Sequence, residues 1–472
     1  MIVSLFILLN AFFVSFLDKP EKATPALSPR AIEQRQKWDI PTDEMDYPVC
    51  SLYLDSLRAM GAMVYHTSRW MNGATVEMSD SLATEIAKLK FVIDVEMTRN
   101  NTPSNLGYLS RRKRQIETIE PTYVNRTDRQ LAVYNLHPLI QSGYEGQGIL
   151  MAICDGGFNN ADQLDCFRQS ELELGHFDFT DDEDDFYGST GNHGTMCLSA
   201  ISGIDYLYNG AAPQAQYYLM RSEEYATESP KEMDNLVAAL EKADSLGVNV
   251  FSVSLGYTQF DNNNWNLSHD DLDGKTTRAS RAATIAARKG MLVCAAAGND
   301  GDNNWRKISV PADADSILTV GAVRTDSTIG TFSSYGPSAD GRVKPEVCAV
   351  GVRTVLILPD GNITNSNGTS FATPLLAGMA ATLWSALPDE NAMQIRERII
   401  RSADRYNYTN DPVRDHYGYG IPDAWKAYIG EGEGTKNTFT EPEDQPHKVI
   451  HGEQILIFRH GHVYNLAGQR VM

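Results

Sequence analysis

Three groups of residues in this chain carry side chains able to act on one another, in the order Asp, His, Ser. Asp155 closes the apolar run Ile149–Cys154 and precedes Gly156 and Gly157. A carboxylate at the carboxyl end of a buried parallel strand faces the crevice where such sheets bind ligands. An Asp before glycines also serves as a plain turn. His193 opens the small-residue segment Gly194–Ala200. A helix starting there would bury its body and hold the imidazole at a cleft; a core histidine reads the same way. Ser370 lies in Asn367-Gly-Thr-Ser-Phe-Ala-Thr-Pro374, ahead of the apolar pattern Leu375–Leu387. A serine at a helix N-terminus sits beside unpaired N–H groups and the positive end of the dipole, which favour an oxyanion there. A bare serine cap is the plain alternative, and Pro374 is tolerated only near a helix start. The fourth group is Ala295-Ala-Ala-Gly-Asn-Asp300. Its tiny residues leave room for a substrate side chain at Ala296 and Gly298, and Asn299 can donate its amide to developing negative charge. A carboxylate that orients an imidazole, which takes a proton from a hydroxyl, is the arrangement of nucleophilic acyl transfer.

Such groups need a frame that brings distant segments to one edge. Between Leu131 and Ile429 short apolar runs alternate with helical patterns. Strands are expected at Ile149–Cys154, Gln216–Met220, Val248–Val253, Met291–Ala296 and Ile317–Gly321, and helices at Glu232–Leu246 and Thr276–Lys289. This alternation predicts an α/β fold, a parallel sheet with helices on both faces. Residues 18–100 read as a smaller unit of order α-β-β-α-β, one strand short of a ferredoxin-like β-α-β-β-α-β unit. Ser28 and Ser79 are expected to cap its helices. Residues 101–127 read as a linker containing the basic run Arg111-Arg-Lys-Arg114, either a solvated stretch or a segment open to nicking. The large unit spans 128–430. Residues 431–472 form a tail with two short strands around His460-Gly461; its histidines read as solvated positions rather than metal ligands.

The bulk properties narrow the function. The net charge of −20 repels phosphate backbones, so no nucleic-acid partner is expected. Apolar residues make up 42%, enough for a large core. The six cysteines include no CxxC pair, and Cys154 and Cys294 fall in core strands as small hydrophobes. Met1–Leu17 is almost wholly apolar. It reads as a signal-peptide core lacking a basic n-region, as a marginal membrane span, or, from Phe12 to Leu17, as the missing strand of the first unit. Export is the favoured reading. Asp178–Asp185 and the loop Tyr257–Lys275 are acidic enough to hold structural calcium but lack EF-hand ligand spacing.

Together these residues resemble the subtilisin-like serine peptidases. Gly368-Thr-Ser-Phe-Ala-Thr-Pro is close to that family's Gly-Thr-Ser-Met-Ala-Thr-Pro, and Phe332-Ser-Ser-Tyr-Gly-Pro, Gly210-Ala-Ala-Pro213 and Ser254-Leu-Gly256 also fit. The resemblance covers about residues 131–429 and implies a subtilisin-like sheet. It makes Ser370 the nucleophile, His193 its base and Asp155 the orienting carboxylate. Asn299 and the Ser370 N–H become oxyanion donors. Ser254, Leu255 and Gly256 become the strand that pairs with substrate, beside Ala296 and Gly298. It also implies that the first unit is an inhibitory propeptide, that the enzyme is an exported monomeric zymogen acting on proteins or peptides, and that it needs no cofactor. Three departures stand out. Gly156 replaces a Ser or Thr, which removes a side-chain hydrogen bond near Asp155. Ser199 replaces a glycine, and Cys348-Ala-Val replaces Val-Ala-Pro. A catalytically silent peptide-binding scaffold and a processing peptidase for one partner are the rival readings.

Overall fold

A computed structural model describes residues 9–20, 23–100, 125–180, 186–188, 191–224, 227–408 and 410–430, and the backbone of 117–118, 447–451, 454–459 and 462–465. The basic run at 111–114, the second half of the acidic stretch at 178–185 and the link at 431–446 lie outside these residues.

The first unit comprises β1 (Asn10–Phe16), α1 (Pro29–Lys37), α2 (Ser51–Ala59), β2 (Met63–Ser68), β3 (Gly73–Met78), α3 (Asp80–Ile86) and β4 (Val92–Arg99). The strands form one sheet of order β2-β3-β1-β4, antiparallel throughout. Ser28 and Ser79 accept from Ala31 N (3.1 Å) and Leu82 N (3.3 Å), capping α1 and α3. β1 takes up the second half of the apolar N-terminal run as a strand of the first unit, one of the three readings given above. Asn10–Phe16 is an inner strand paired on both sides, and Ala11–Val14 are buried. Its hydrophobicity is that of a sheet centre. Phe12, Val14 and Phe16 point with Leu57, Val76, Met78 and Ile86 into one core. The intervening Phe13 faces the other way and lies under the Arg278 guanidinium.

The backbone strand β5 (Glu117–Thr118) and the short helices α4 (Asp128–Ala132) and α5 (His137–Gln141) lead into the large unit. Its next elements are β6 (Leu150–Asp155), α6 (Gln169–Leu172), β7 (Glu173–Asp178), α7 (His193–Ser202), the hairpin β8 (Ile204–Asp205) and β9 (Tyr208–Asn209), β10 (Gln216–Arg221), α8 (Pro230–Leu246) and β11 (Val250–Val253). They are followed by α9 (Arg278–Arg288), β12 (Leu292–Ala296), β13 (Leu318–Val323), β14 (Val347–Val350), the hairpin β15 (Thr354–Ile357) and β16 (Ile363–Ser366), and α10 (Thr369–Ala386). Seven strands form a parallel sheet of order β14-β13-β12-β11-β6-β10-β7. Alternate strand residues divide between two cores. Met151, Ile153, Leu292 and Cys294 meet α7 and α10, while Leu150, Ala152, Val293 and Ala295 meet α8 and α9. Two strands of the sheet lie outside the expected set. β7 is an edge strand whose sequence, Glu173-Leu-Gly-His-Phe-Asp178, alternates with solvent, and β14 has only four residues. None of the six cysteines is in a disulfide. No helix of the described residues is long and apolar enough to cross a membrane. The tail has three antiparallel strands, β17 (His447–His451), β18 (Gln454–Arg459) and β19 (His462–Asn465), where two were expected.

The first sheet rests on α8, and charge marks the contact. Glu241 of α8 accepts from Ser68 Oγ (2.5 Å), Arg69 N (2.9 Å) and Trp70 N (3.1 Å), closing the turn after β2. Asp244, one turn on, takes the guanidinium of Arg69 at 2.6 Å and that of Arg35 at 2.7 Å. Burial pushes the Glu241 carboxyl above its ordinary range, and the facing Arg69 and the three donors pull it back. A buried carboxylate with this many donors is costly to remove, because each donor is left unpaired. Glu241→Ala is therefore expected to lower the unfolding free energy of the first unit by about 3 kcal/mol. Hydrogen exchange should show it as faster exchange of the Ser68–Asn72 amides, with the large sheet unaffected.

Candidate functional site

Parallel register lines up the site. Cys154 of β6 pairs with Val253 of β11, and Val253 pairs with Ala295 of β12. Asp155, Ser254 and Ala296 are therefore the next residues in one row at the carboxyl edge, and Asn299 follows just beyond. Helices α7 and α10, packed together on one face of the sheet, bring His193 and Ser370 to the same edge as the first and second residues of their helices.

His193 and Asp155 are in direct contact, with Nδ1 2.6 Å from Oδ1. Asp155 is fully buried, and a quarter of the His193 side chain is exposed, 26%. Gly194 makes the approach possible. A Cβ there would stand 2.4 Å from the Gly157 carbonyl and 3.0 Å from the Asp155 Cβ. Oδ1 also accepts the N–H of Gly156 at 2.8 Å. Oδ2 is buried and has no hydrogen-bond partner among the described residues. The neighbouring Gly156 has no hydroxyl to offer it.

Ser370 is tied to Ser254 in both directions. Ser370 Oγ donates to Ser254 O (3.2 Å), and Ser254 Oγ donates to Ser370 O (2.8 Å). The second bond has a covalent cause. Pro374 lies four residues after Ser370 inside α10, and a proline has no N–H to give the carbonyl four residues before it. The Ser370 carbonyl is thus released from the helix ladder, and the Ser254 hydroxyl and the Cys197 thiol (3.3 Å) take its place. Pro374 is sixth in its helix, further in than its tolerance near a helix start suggested. His193 Nε2 is buried with no partner among the described residues. The Ser370 hydroxyl, bonded to Ser254 O, is thus not bonded to the imidazole.

Asn299 is oriented by its oxygen. Oδ1 accepts from Thr369 N (2.9 Å) and Thr369 Oγ1 (3.0 Å) at the start of α10. The amide nitrogen is left as a donor beside the helix N-terminus. Thr369 Oγ1 also bonds Gly298 O at 3.2 Å, which locks the end of β12 to the start of α10. Gly298 must be small, since a Cβ would stand 2.8 Å from Ser334 Oγ. Leu255 and Ser254 are buried, and Gly256 is exposed at the start of the loop beyond β11.

Three contributors escape a reading of motifs. Thr369 anchors Asn299. The Phe371 ring lies 5.4 Å from the imidazole. Cys197 has its sulfur 3.8 Å from His193 Nδ1, and its place four residues on, on the same helix face, was the available signal. Asp155, His193 and Cys197 carry ligand-type atoms within 4.8 Å of one another, and the ring nitrogen near the Cys197 sulfur is already bonded to Asp155. Ser199, the departure from glycine, is buried. Its hydroxyl donates to Met196 O (2.7 Å) and accepts from Ile357 N (3.0 Å), tying α7 to β15.

The chain matches the model of the subtilase family, peptidase family S8, over residues 137–420. Residues 11–116 match the model of a peptidase S8 propeptide domain from Bacteroidota. Subtilisin DY of Bacillus licheniformis is 30% identical over 287 residues, which is 59% of this chain and 90% of that one. Serine protease AprX of Bacillus subtilis is 25% identical over 372 residues, 70% of this chain and 78% of that one. The crystal structure of MycP1 from Mycobacterium smegmatis shares the fold with a TM-score of 0.53 at 22% identity, covering 67% of this chain and 88% of that one.

The orphaned Oδ2 yields a test. Gly156→Ser places a hydroxyl within reach of it and is expected to raise kcat about two- to fivefold by holding the carboxylate and imidazole in line. Steady-state assays on a peptide substrate measure this; an unchanged kcat would mean that Oδ2 is satisfied by another group.

Proposed function

The chain belongs to the subtilase family and is a serine-type endopeptidase with an N-terminal propeptide domain, and from that premise we propose that Ser370, His193 and Asp155 are its catalytic triad. Ser370 Oγ attacks the substrate carbonyl while His193 Nε2 takes its proton. Asp155 holds Nδ1–H and stabilises the imidazolium. The tetrahedral oxygen is received by the Asn299 amide and the Ser370 N–H at the start of α10. His193 then gives the proton to the leaving amine. Water, activated by the same base, releases the acyl group from Ser370. The reaction runs on protein groups alone. The observation that carries this reading is the 2.6 Å bond between His193 and a fully buried carboxylate, set beside a serine at a helix N-terminus.

Ser254, Leu255 and Gly256 are proposed to add the substrate backbone as a further strand, with Ala296 and Gly298 leaving room for a side chain. The propeptide is proposed to restrain the enzyme until it is cut. Its last strand ends at Arg99, whose guanidinium is bound by Glu224 at 2.6 Å just beyond β10, and β5 pairs with β16 on the approach to Ser370. One end of the connecting chain is thus fixed beside the Asp155 strand and the other beside the nucleophile segment. A monomeric enzyme released outside the cytoplasm fits this zymogen design.

Two measurements test the proposal. A fluorophosphonate probe should label the processed protein and fail to label Ser370→Ala; absence of labelling in both identifies a silent scaffold instead. Asn299→Ala is expected to lower kcat about a hundred- to a thousandfold with little change in KM, the loss found for such a donor in subtilisin. N-terminal sequencing of the processed protein locates the cut, and an uncut chain with full activity would remove the zymogen reading.

A further inference from the structure

Beside β16 lies a groove of about 680 Å³ whose walls include Arg126, Arg129, Arg324 and Arg353, with Asn365 of β16 at one side. Arg129, Arg324 and Arg353 are exposed. Among the described residues Arg126, Arg129 and Arg324 make no ion pair within 4.0 Å. The two acids in the same walls take their hydrogen bonds or close contacts from other groups, although Asp326 also feels the charge of Arg324. Asp326 accepts from Thr328 N (3.0 Å) and Thr328 Oγ1 (2.6 Å), and Asp128 lies 3.5 Å from His137 Nε2. A chain of net charge −20 has here gathered four guanidinium groups in one place. The arginine is the side chain best shaped to receive carboxylates.

A second observation names an occupant. The backbone of Glu117–Thr118 pairs antiparallel with β16, Glu117 against Asn365 and Thr118 against Thr364. The stretch Glu117-Thr-Ile-Glu120 carries two carboxylates. β16 ends four residues before Ser370 and opens directly into the nucleophile segment. Any cut between residues 100 and 116 that frees the propeptide leaves Glu117 on the far side of the broken bond, among the leaving-group residues.

We propose that this arginine groove, with the edge of β16, binds the part of the substrate that follows the cleaved bond and selects acidic residues there; in the uncut chain the backbone of Glu117–Thr118 already pairs with that edge. The inference rests on Ser370 being the nucleophile. Main-chain pairing with β16 supplies the direction of the bound strand, and the guanidinium groups supply the preference for acid. Each exposed pair contributes at most about fivefold, so several acting together should give a preference near tenfold.

The test uses the processed enzyme and pairs of internally quenched peptides. Each pair shares the upstream half and carries Glu-Thr-Ile-Glu or Gln-Thr-Ile-Gln downstream, set at successive distances from the scissile bond. The expected result is a kcat/KM ratio of about tenfold for acid over amide at low ionic strength, falling toward one in molar salt, where charges are screened within about 3 Å. In the double variant Arg129→Gln, Arg324→Gln the ratio should fall toward one as well. A ratio near one at low salt, with both peptides cut, overturns the acidic preference and leaves the triad standing. A tenfold ratio that the double variant retains overturns the assignment to this groove. Cutting of neither peptide, together with absent fluorophosphonate labelling, overturns the Ser370 reading and this inference with it.

Discussion

The structure depends on the register of a parallel sheet. Because β6, β11 and β12 run the same way and pair without slip, their carboxyl ends fall on one line, and Asp155, Ser254 and Ala296 share an edge though they are far apart in the chain. A shift of one residue in any of these strands would turn its side chains to the opposite face. It would exchange the core facing α7 and α10 for the one facing α8 and α9. The two-core packing thus holds the site's geometry: the strands cannot slide without burying the wrong residues on both sides of the sheet.

On that edge the site is assembled from backbone groups left unsatisfied by local structure. Pro374 frees the Ser370 carbonyl, and Ser254 and Cys197 bind it. The start of α10 leaves N–H groups open, and Asn299 uses one of them, at Thr369, to aim its own amide. The same economy leaves a gap at Asp155, where Oδ2 is buried without a partner. A lone buried carboxylate oxygen is unfavourable. It is kept here because the other oxygen must serve His193.

How much of this was legible follows from where the information lies. Strands buried on both faces appear in sequence as unbroken apolar runs, so β6, β10, β11, β12 and β13 could be placed. β7 could not, because an edge strand alternates with solvent and its Glu173 and His176 resemble a loop. Asp155, His193, Ser370 and Asn299 stand in compact motifs whose residue types suggest their chemistry. Cys197, Thr369 and Phe371 act through contacts across elements and carry no such mark. The N-terminal run stayed ambiguous for a physical reason. An inner sheet strand and an export signal are both short apolar segments, and only pairing with β3 and β4 separates them. The arginine groove draws its residues from four separate stretches of chain, so neither composition nor spacing could reveal it.

The contact between the first sheet and α8 is rich in bonds, with Glu241 and Asp244 each holding several donors from the propeptide domain. Its strength is smaller than that count suggests. While covered, these carboxylates forgo hydration worth several kcal/mol each, and on separation water returns it. The paired charges therefore fix the angle at which the two surfaces meet more than they oppose parting. A propeptide domain held in this way docks in one orientation, and the helix face it covers is one that water would wet readily.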